Sequence, residues 1–261
     1  MITEAFENQY NQAIGLVEER RFAEAEPILL LSLERFIESE GPLSEDVGWA
    51  AQNLAKMYEA KGDHARAIER WRQVIAVIEA HVGPEHISVG ERLEIVGMLA
   101  LDLERWQEAE AAFRRALTLF TAEYGPEHHL TVGVGFNLGN ALFMRKQYPE
   151  AEALQQRLVD ERIRSLGPHH PAVAQILVHL GSQRFQRKLY RPAFARYVQA
   201  VNIYESPECP LPDGYDAILT DYSRLARQVG DTEFAERILK RREQFLKQKL
   251  LALTLSAESS P

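Results

Sequence analysis

Histidine is the residue type whose spacing most invites a chemical reading. His128-His129 and His169-His170 are adjacent pairs, and His86 stands 42 residues before His128. Imidazole nitrogens coordinate zinc, and repeated linkers could bring such pairs within reach of one another. Each of these histidines falls at the same point of a repeated unit, however, so position in a linker explains them better and no metal is expected. The glycine run Gly133-Val134-Gly135-Phe136-Asn137-Leu138-Gly139 is not a dinucleotide fingerprint, because its third glycine comes one place late and no strand precedes it. A phosphate-binding lysine loop is absent from the sequence. Cys209 has no recognisable base beside it, and Lys240-Arg241-Arg242 reads as a solvated helix face. With no convergent acid, base and nucleophile set, neither catalysis nor a cofactor is expected.

The bulk properties narrow the class. A chain of 261 residues that is 46% hydrophobic and 26% charged is well able to pack, so disorder is not the default. Its net charge of −8 repels phosphate backbones, which argues against nucleic acid as a partner. A single cysteine excludes an intrachain disulfide and fits a reducing compartment. The first residues, Met1-Ile2-Thr3-Glu4-Ala5-Phe6-Glu7, lack the basic start and apolar core of a secretion signal. Apolar stretches such as Ile28 to Leu31 fall far short of the ~18 residues of a membrane span. A soluble, cytoplasmic protein away from membranes is expected.

What must position any functional side chain is a repeat. Prolines stand at Pro42, Pro84, Pro126, Pro168 and Pro210, a constant interval of 42 residues. Ala25, Ala67, Ala109, Ala151, Ala193 and Ala235 keep the same interval, and Gly41, Gly83, Gly125 and Gly167 precede four of the prolines. The chain is therefore six copies of one unit, at about 3–40, 43–82, 85–124, 127–166, 169–208 and 211–255. Within a unit the apolar residues recur at helical spacing, as in Phe136, Leu138, Leu142 and Phe143, then Ala151, Leu154 and Leu158. Each unit holds two helices. Gly-Pro ends the second, and turns such as Lys61-Gly62-Asp63 and Val229-Gly230-Asp231 join the two, with aspartate placed to cap the next helix.

The invariant alanine predicts close contact with the first helix of its own hairpin, where leucine at 109 would overpack by ~1–3 kcal/mol. An aromatic three residues earlier, Phe22, Trp106, Tyr148 or Tyr190, packs over the turn, while His64 and Thr232 depart and predict looser hairpins. One hairpin cannot bury its apolar face alone, so the units stack into an all-α, right-handed superhelical solenoid spanning 1–261 with a concave inner wall. The last helix runs long, with Leu239, Leu246, Leu250 and Leu253 near heptad spacing beside Phe245 and Leu251. It either caps its own unit or forms a homodimer seam. Residues 256–261 read as a disordered tail.

The segment Asn137-Leu138-Gly139-Asn140-Ala141-Leu142 followed by Tyr148-Pro149-Glu150-Ala151-Glu152-Ala153-Leu154 resembles the tetratricopeptide signature. The 42-residue interval and the linkers Gly125-Pro126-Glu127-His128 and Gly167-Pro168-His169-His170-Pro171 resemble the longer subclass found in kinesin light chains and many bacterial repeat proteins. The resemblance covers about residues 3 to 250 and implies a solenoid of helix-turn-helix repeats that binds extended peptides on its inner surface. Kinesin light chains carry a coiled coil before their repeats, so a motor light chain is not expected here. Unit six departs most, with Cys209 in place of the linker glycine and Pro207, Pro210 and Pro212 crowding the junction.

In kinesin-light-chain-like repeats an asparagine before the Leu-Gly or Leu-Ala pair points into the groove. That position here reads Asn11, Asn53, Ile95, Asn137, His179 and Asp221. A carboxamide both donates and accepts, and so can pair with a guest backbone whatever its sequence. Helical spacing adds Trp49, Gln52 and Lys56, then Glu91, Glu94 and Met98, then Phe136 and Asn140, then Gln175 and Ser182. Trp49 and Phe136 could anchor apolar guest side chains or pack between units. The wall is acidic near Glu91 and Glu94 and more basic near Arg224 and Arg227, which suits a guest of opposite polarity. Gly133 and Gly135 either admit a guest backbone or loosen their helix, each at ~1 kcal/mol relative to alanine. The expected function is a non-catalytic scaffold or adaptor holding a protein or peptide in its groove. The alternative is a peptide-sensing regulatory module whose superhelix changes shape on binding.

Overall fold

The glycine and proline punctuation becomes helix boundaries in the computed structural model, which describes residues 4–206, 209 and 211–258, with side chains from 8 to 247 of these. Twelve helices are described, paired as six hairpins: α1 (Glu4–Glu18) with α2 (Phe22–Glu40), α3 (Glu45–Lys61) with α4 (His64–Val82), and α5 (Ile87–Asp102) with α6 (Trp106–Tyr124). Then follow α7 (His129–Met144) with α8 (Tyr148–Leu166), α9 (Pro171–Gln186) with α10 (Tyr190–Tyr204), and α11 (Tyr215–Gln228) with α12 (Thr232–Glu258). No strand occurs among the described residues.

The chain divides into two compact units, Met1–Leu154 and Gln155–Pro261, the division falling within α8. In the first, each helix from α1 to α6 packs on the next, and α5 also touches α7. In the second, α9 packs on α10, α10 on α11 and α11 on α12. Packing thus runs between near neighbours in the chain, which is the helical-repeat solenoid that a 42-residue sequence period requires.

The alanine register closes each hairpin. Ala25, Ala67, Ala109, Ala151, Ala193 and Ala235 are all buried. Opposite them the first helix offers a small residue: Ser223 Oγ donates to the Ala235 carbonyl at 3.2 Å, and a Cβ on Gly181 would stand 3.3 Å from the Ala193 carbonyl oxygen. Helix backbones can approach this closely only when neither brings a large side chain to the crossing. Aromatic contacts close the turns as expected in two hairpins, Phe143 against Tyr148 at 5.3 Å and Phe185 against Tyr190 at 5.6 Å between centroids.

The turn between the two helices puts one residue in the left-handed region in all six hairpins, at a fixed phase. It is Arg20 (φ 61°), Gly62 (78°), Glu104 (57°), Lys146 (63°), Lys188 (59°) and Gly230 (93°). In the two glycine turns an aspartate follows and caps the next helix, Asp63 accepting from the Arg66 N–H at 3.2 Å and Asp231 from the Phe234 N–H at 2.9 Å.

The linkers between hairpins give the histidines their role. Gly41, Gly83, Gly125 and Gly167 end their helices at φ of 94°, 95°, 85° and 86°. Three residues on, Ser44 Oγ accepts the Val47 N–H, and the Nδ1 atoms of His86, His128 and His170 accept the N–H groups of Ser88, Leu130 and Ala172 at 3.2, 3.4 and 3.2 Å. These histidines satisfy otherwise unpaired donors at the start of α5, α7 and α9. Cys209 stands at the glycine phase of the last linker; Pro207 and Pro210 lie outside the described residues.

Carboxylates bind successive hairpins of the first unit together. Glu26 of α2 accepts from Lys61 Nζ at 2.5 Å, Arg66 at 2.5 Å and Tyr58 Oη at 3.1 Å. Glu110 of α6, nearly buried, accepts from Arg114 Nε at 2.8 Å and from Arg145 beyond α7. At the other end, Phe245 of α12 packs edge-on against Tyr215 at 5.4 Å, so the long helix folds back on its own hairpin at this point. The side chains of Leu250, Leu251 and Leu253, expected in a dimer seam, lie outside the described ones. Of the tail expected from 256 to 261, residues 256–258 belong to α12 and 259–261 lie outside the described residues.

Candidate functional site

The wall positions sit on the first helices, on the face turned away from each hairpin's core. In α3 the core takes Val47, Ala50, Ala51, Leu54, Ala55, Met57 and Tyr58. Trp49, Gln52, Asn53 and Lys56 fall on the complementary face, at the i, i+3, i+4, i+7 spacing that aligns side chains along a helix. The same phase 42 residues on yields Glu94 and Met98 in α5, and 84 residues on Phe136, Asn137 and Asn140 in α7. None of these side chains is buried. Two are large, apolar and open to solvent, Trp49 at 60% and Met98 at 51% exposure. Among these first helices, α5 and α7 are in direct contact.

The polar members differ in what they have to offer. Asn53 Nδ2 donates to Tyr10 Oη at 2.7 Å, so this carboxamide is already engaged by the preceding hairpin rather than open on both sides. Tyr10 occupies the same phase as Gln52 and Phe136, one interval earlier, and was the wall member that the asparagine register passed over. Its hydroxyl is raised by burial, against which the Asn53 bond acts, with Asp46 adding to the rise. Gln52 and Asn137 keep carboxamides with no partner among the described residues, and so does the Lys56 ammonium. Gly133, one turn before Phe136 and Asn137, has open space where its side chain would be, and α7 continues through it unbroken.

Beside the wall, a cleft of about 360 Å³ opens between α3, the end of α4 and the start of α5. Trp49 and Gln52 border it, Val74, Val77 and Ile78 form its apolar floor, and Arg92 reaches it from α5. Arg92 is committed locally, pairing with Glu91 at 2.7 Å.

The second unit holds His179 and Ser182 on α9, both half-buried. Burial pushes the His179 imidazole down to about 4, and Gln183 lies 2.8 Å from its Nε2, so the ring is a neutral hydrogen-bonding group at physiological pH. On α11 the expected basic end is partly neutralised, Arg224 pairing with Asp221 at 3.1 Å. Among the described residues no group of three or more histidine, cysteine, aspartate or glutamate side chains could hold a metal ion, and no helix is long and apolar enough to cross a membrane.

Hairpins of fixed length, a small-residue crossing, and an unburied row along the first helices define a helical-repeat interaction scaffold. Tetratricopeptide repeat models match residues 4–80, 93–130 and 133–206, and the chain belongs to the tetratricopeptide repeat family. It is similar in structure to BtubC (BKLC) from P. vanneervenii, at TM-score 0.66 and 17% identity over 95% of this chain and 93% of that one. It is similar also to a Podosopora anserina protein described as a kinesin light chain with nearly identical TPR-like repeats, at TM-score 0.63 and 18% identity over 78% and 97%. A third, MamA from Desulfovibrio magneticus, matches at TM-score 0.54 and 13% identity over 77% and 96%. At these identities the likeness is one of fold. No curated protein sequence is significantly similar to the chain.

Proposed function

We propose that the chain is a non-catalytic adaptor that holds an extended segment of another protein against the first helices of its repeats. The observation that carries this reading is the exposure of Trp49 and Met98 on a face shared with the unpartnered carboxamides of Gln52 and Asn137. Large apolar side chains supply binding energy when a guest covers them, and carboxamides beside them pair with its backbone without reading its sequence. In the family this surface is the peptide-binding one, which supports the same assignment.

The test is selection of displayed linear peptides on the full chain, followed by affinity measurements on variants. Trp49→Ala and Met98→Ala should each weaken the selected peptides about tenfold, of the order expected for loss of an apolar anchor. Glu123→Ala, at an exposed position on α6, should leave affinity unchanged. Equal binding by wild type and both wall variants would refute the groove.

A further inference from the structure

Glu94 is a carboxylate without a counter-charge. It stands half-buried in the wall of the first unit, at the phase held by Tyr10 in α1, Gln52 in α3 and Phe136 in α7. No hydrogen bond or ion pair to it occurs among the described residues. Its neighbours do not repair this. Glu91, one turn earlier, adds negative charge, and the arginine beside it, Arg92, bonds to Glu91 rather than to Glu94. Lys56 of α3 is exposed and forms no ion pair with it. The facing positions of α7, Phe136, Asn137 and Asn140, carry no cation. Burial first, and the charge of Glu91 second, raise the Glu94 carboxyl above the usual glutamate range, as expected for an acid losing water with nothing in return.

An uncompensated, partly desolvated charge weakens the empty chain and is repaid only by a ligand that supplies the opposite charge. We infer that Glu94 is the recognition point for a lysine or arginine side chain of the guest, and that the favoured occupant is an extended basic segment. The inference rests on the groove reading above. Around Glu94 the wall offers what such a side chain needs. Met98, one turn further along α5 and open to solvent, can cover the aliphatic stem, while the unpartnered carboxamides of Gln52 on α3 and Asn137 on α7 stand at the same or the next phase of the repeat. Opposite charges meeting where water is partly excluded attract more strongly than at an open surface.

Peptides selected on the full chain test this directly. Binders should be enriched in lysine or arginine, should lose about tenfold in affinity on Glu94→Gln, and should weaken as ionic strength rises. Replacing the basic residue of a selected peptide with norleucine should cost the same, and that peptide should then be indifferent to Glu94→Gln. Peptides that respond to Met98→Ala but carry no basic residue, or ignore Glu94→Gln, would overturn the inference and leave the groove standing. Peptides that ignore Trp49→Ala and Met98→Ala alike, or a selection that returns none, would overturn both. A structural role is distinguished by thermal unfolding of the unliganded chain: Glu94→Gln should raise the midpoint, and a fall would show that the carboxylate serves the fold.

Discussion

The ring of Phe113 in α6 lies against the bare Cα of Gly97 in α5, so close that a Cβ there would stand 2.5 Å from its Cε1 atom. Tyr197 meets Gly181 in the same way, also at 2.5 Å, two intervals further on. Glycine in these helices is thus a packing residue whose missing side chain is filled by a ring.

This sets two glycine substitutions against each other. Alanine at 97 gains ~1 kcal/mol of helix propensity but forces Phe113 out of place, and overpacking costs ~1–3 kcal/mol, so Gly97→Ala should destabilise on balance. Gly133, with nothing within 4 Å, has only the propensity gain, and Gly133→Ala should stabilise by up to ~1 kcal/mol. Urea denaturation of the two variants checks the opposite signs.

Four of the six left-handed turn residues are not glycine, and each carries the Cβ clash of that conformation. The clash costs ~1–2 kcal/mol, while glycine would add ~0.5–1 kcal/mol of chain entropy to the unfolded state. Lys146→Gly and Lys188→Gly should therefore each raise stability modestly, and Gly62→Ala should lower it, all read from denaturant midpoints. A loss on Lys146→Gly would mean that the side chain contributes more than its backbone costs.

Gln155 is wholly buried, and neither its Oε1 nor its Nε2 has a hydrogen-bond partner. The same phase in other repeats is Leu29, Trp71, Phe113 and Tyr197. An unpaired buried amide costs ~1–3 kcal/mol, so Gln155→Met should raise the unfolding free energy by that order. A bound water on the amide would make the change neutral or unfavourable, and calorimetry tells the cases apart.

Acid should loosen the first unit through Glu26. The hydrogen bond from Lys61, opposed by desolvation and helped by Tyr58 and Arg66, holds its carboxyl below the usual glutamate range. A folded value below the unfolded one means the stabilisation is complete above the unfolded pKa of ~4.3 and disappears as pH falls through the folded value. Glu26→Gln should lower the thermal midpoint near neutrality, and that difference should shrink as the pH falls below ~4.3. A gap that stays the same size as the pH falls would contradict this assignment.

How much of this was legible depends on whether a residue's role shows in its type. The interval of 42, the buried alanines, the aspartate caps after Gly62 and Gly230, and the wall positions follow from side-chain size, capping chemistry and helical phase. The left-handed turns at Arg20, Glu104, Lys146 and Lys188 did not, because charged residues give no sign of positive φ where the fold imposes it. His86, His128 and His170 were recognisable as linker residues, yet their capping role becomes apparent only beside Ser44, a commoner cap at the same phase. The Asn53 to Tyr10 bond joins residues 43 apart on different hairpins, a relationship that no local pattern encodes.

The linkers have one more consequence. Since Gly83-Pro84 and Gly125-Pro126 end their helices with nearly equal angles and lead into the same histidine cap, the junctions are chemically interchangeable. Excising 84–125 would join Gly83 to Pro126 and leave every cap and turn at the splice intact, whereas a cut that is not a whole number of 42-residue intervals would not. The length of such a chain can therefore change by duplication or deletion of a whole 42-residue module, whereas an insertion within a helix would break the phase of every residue after it.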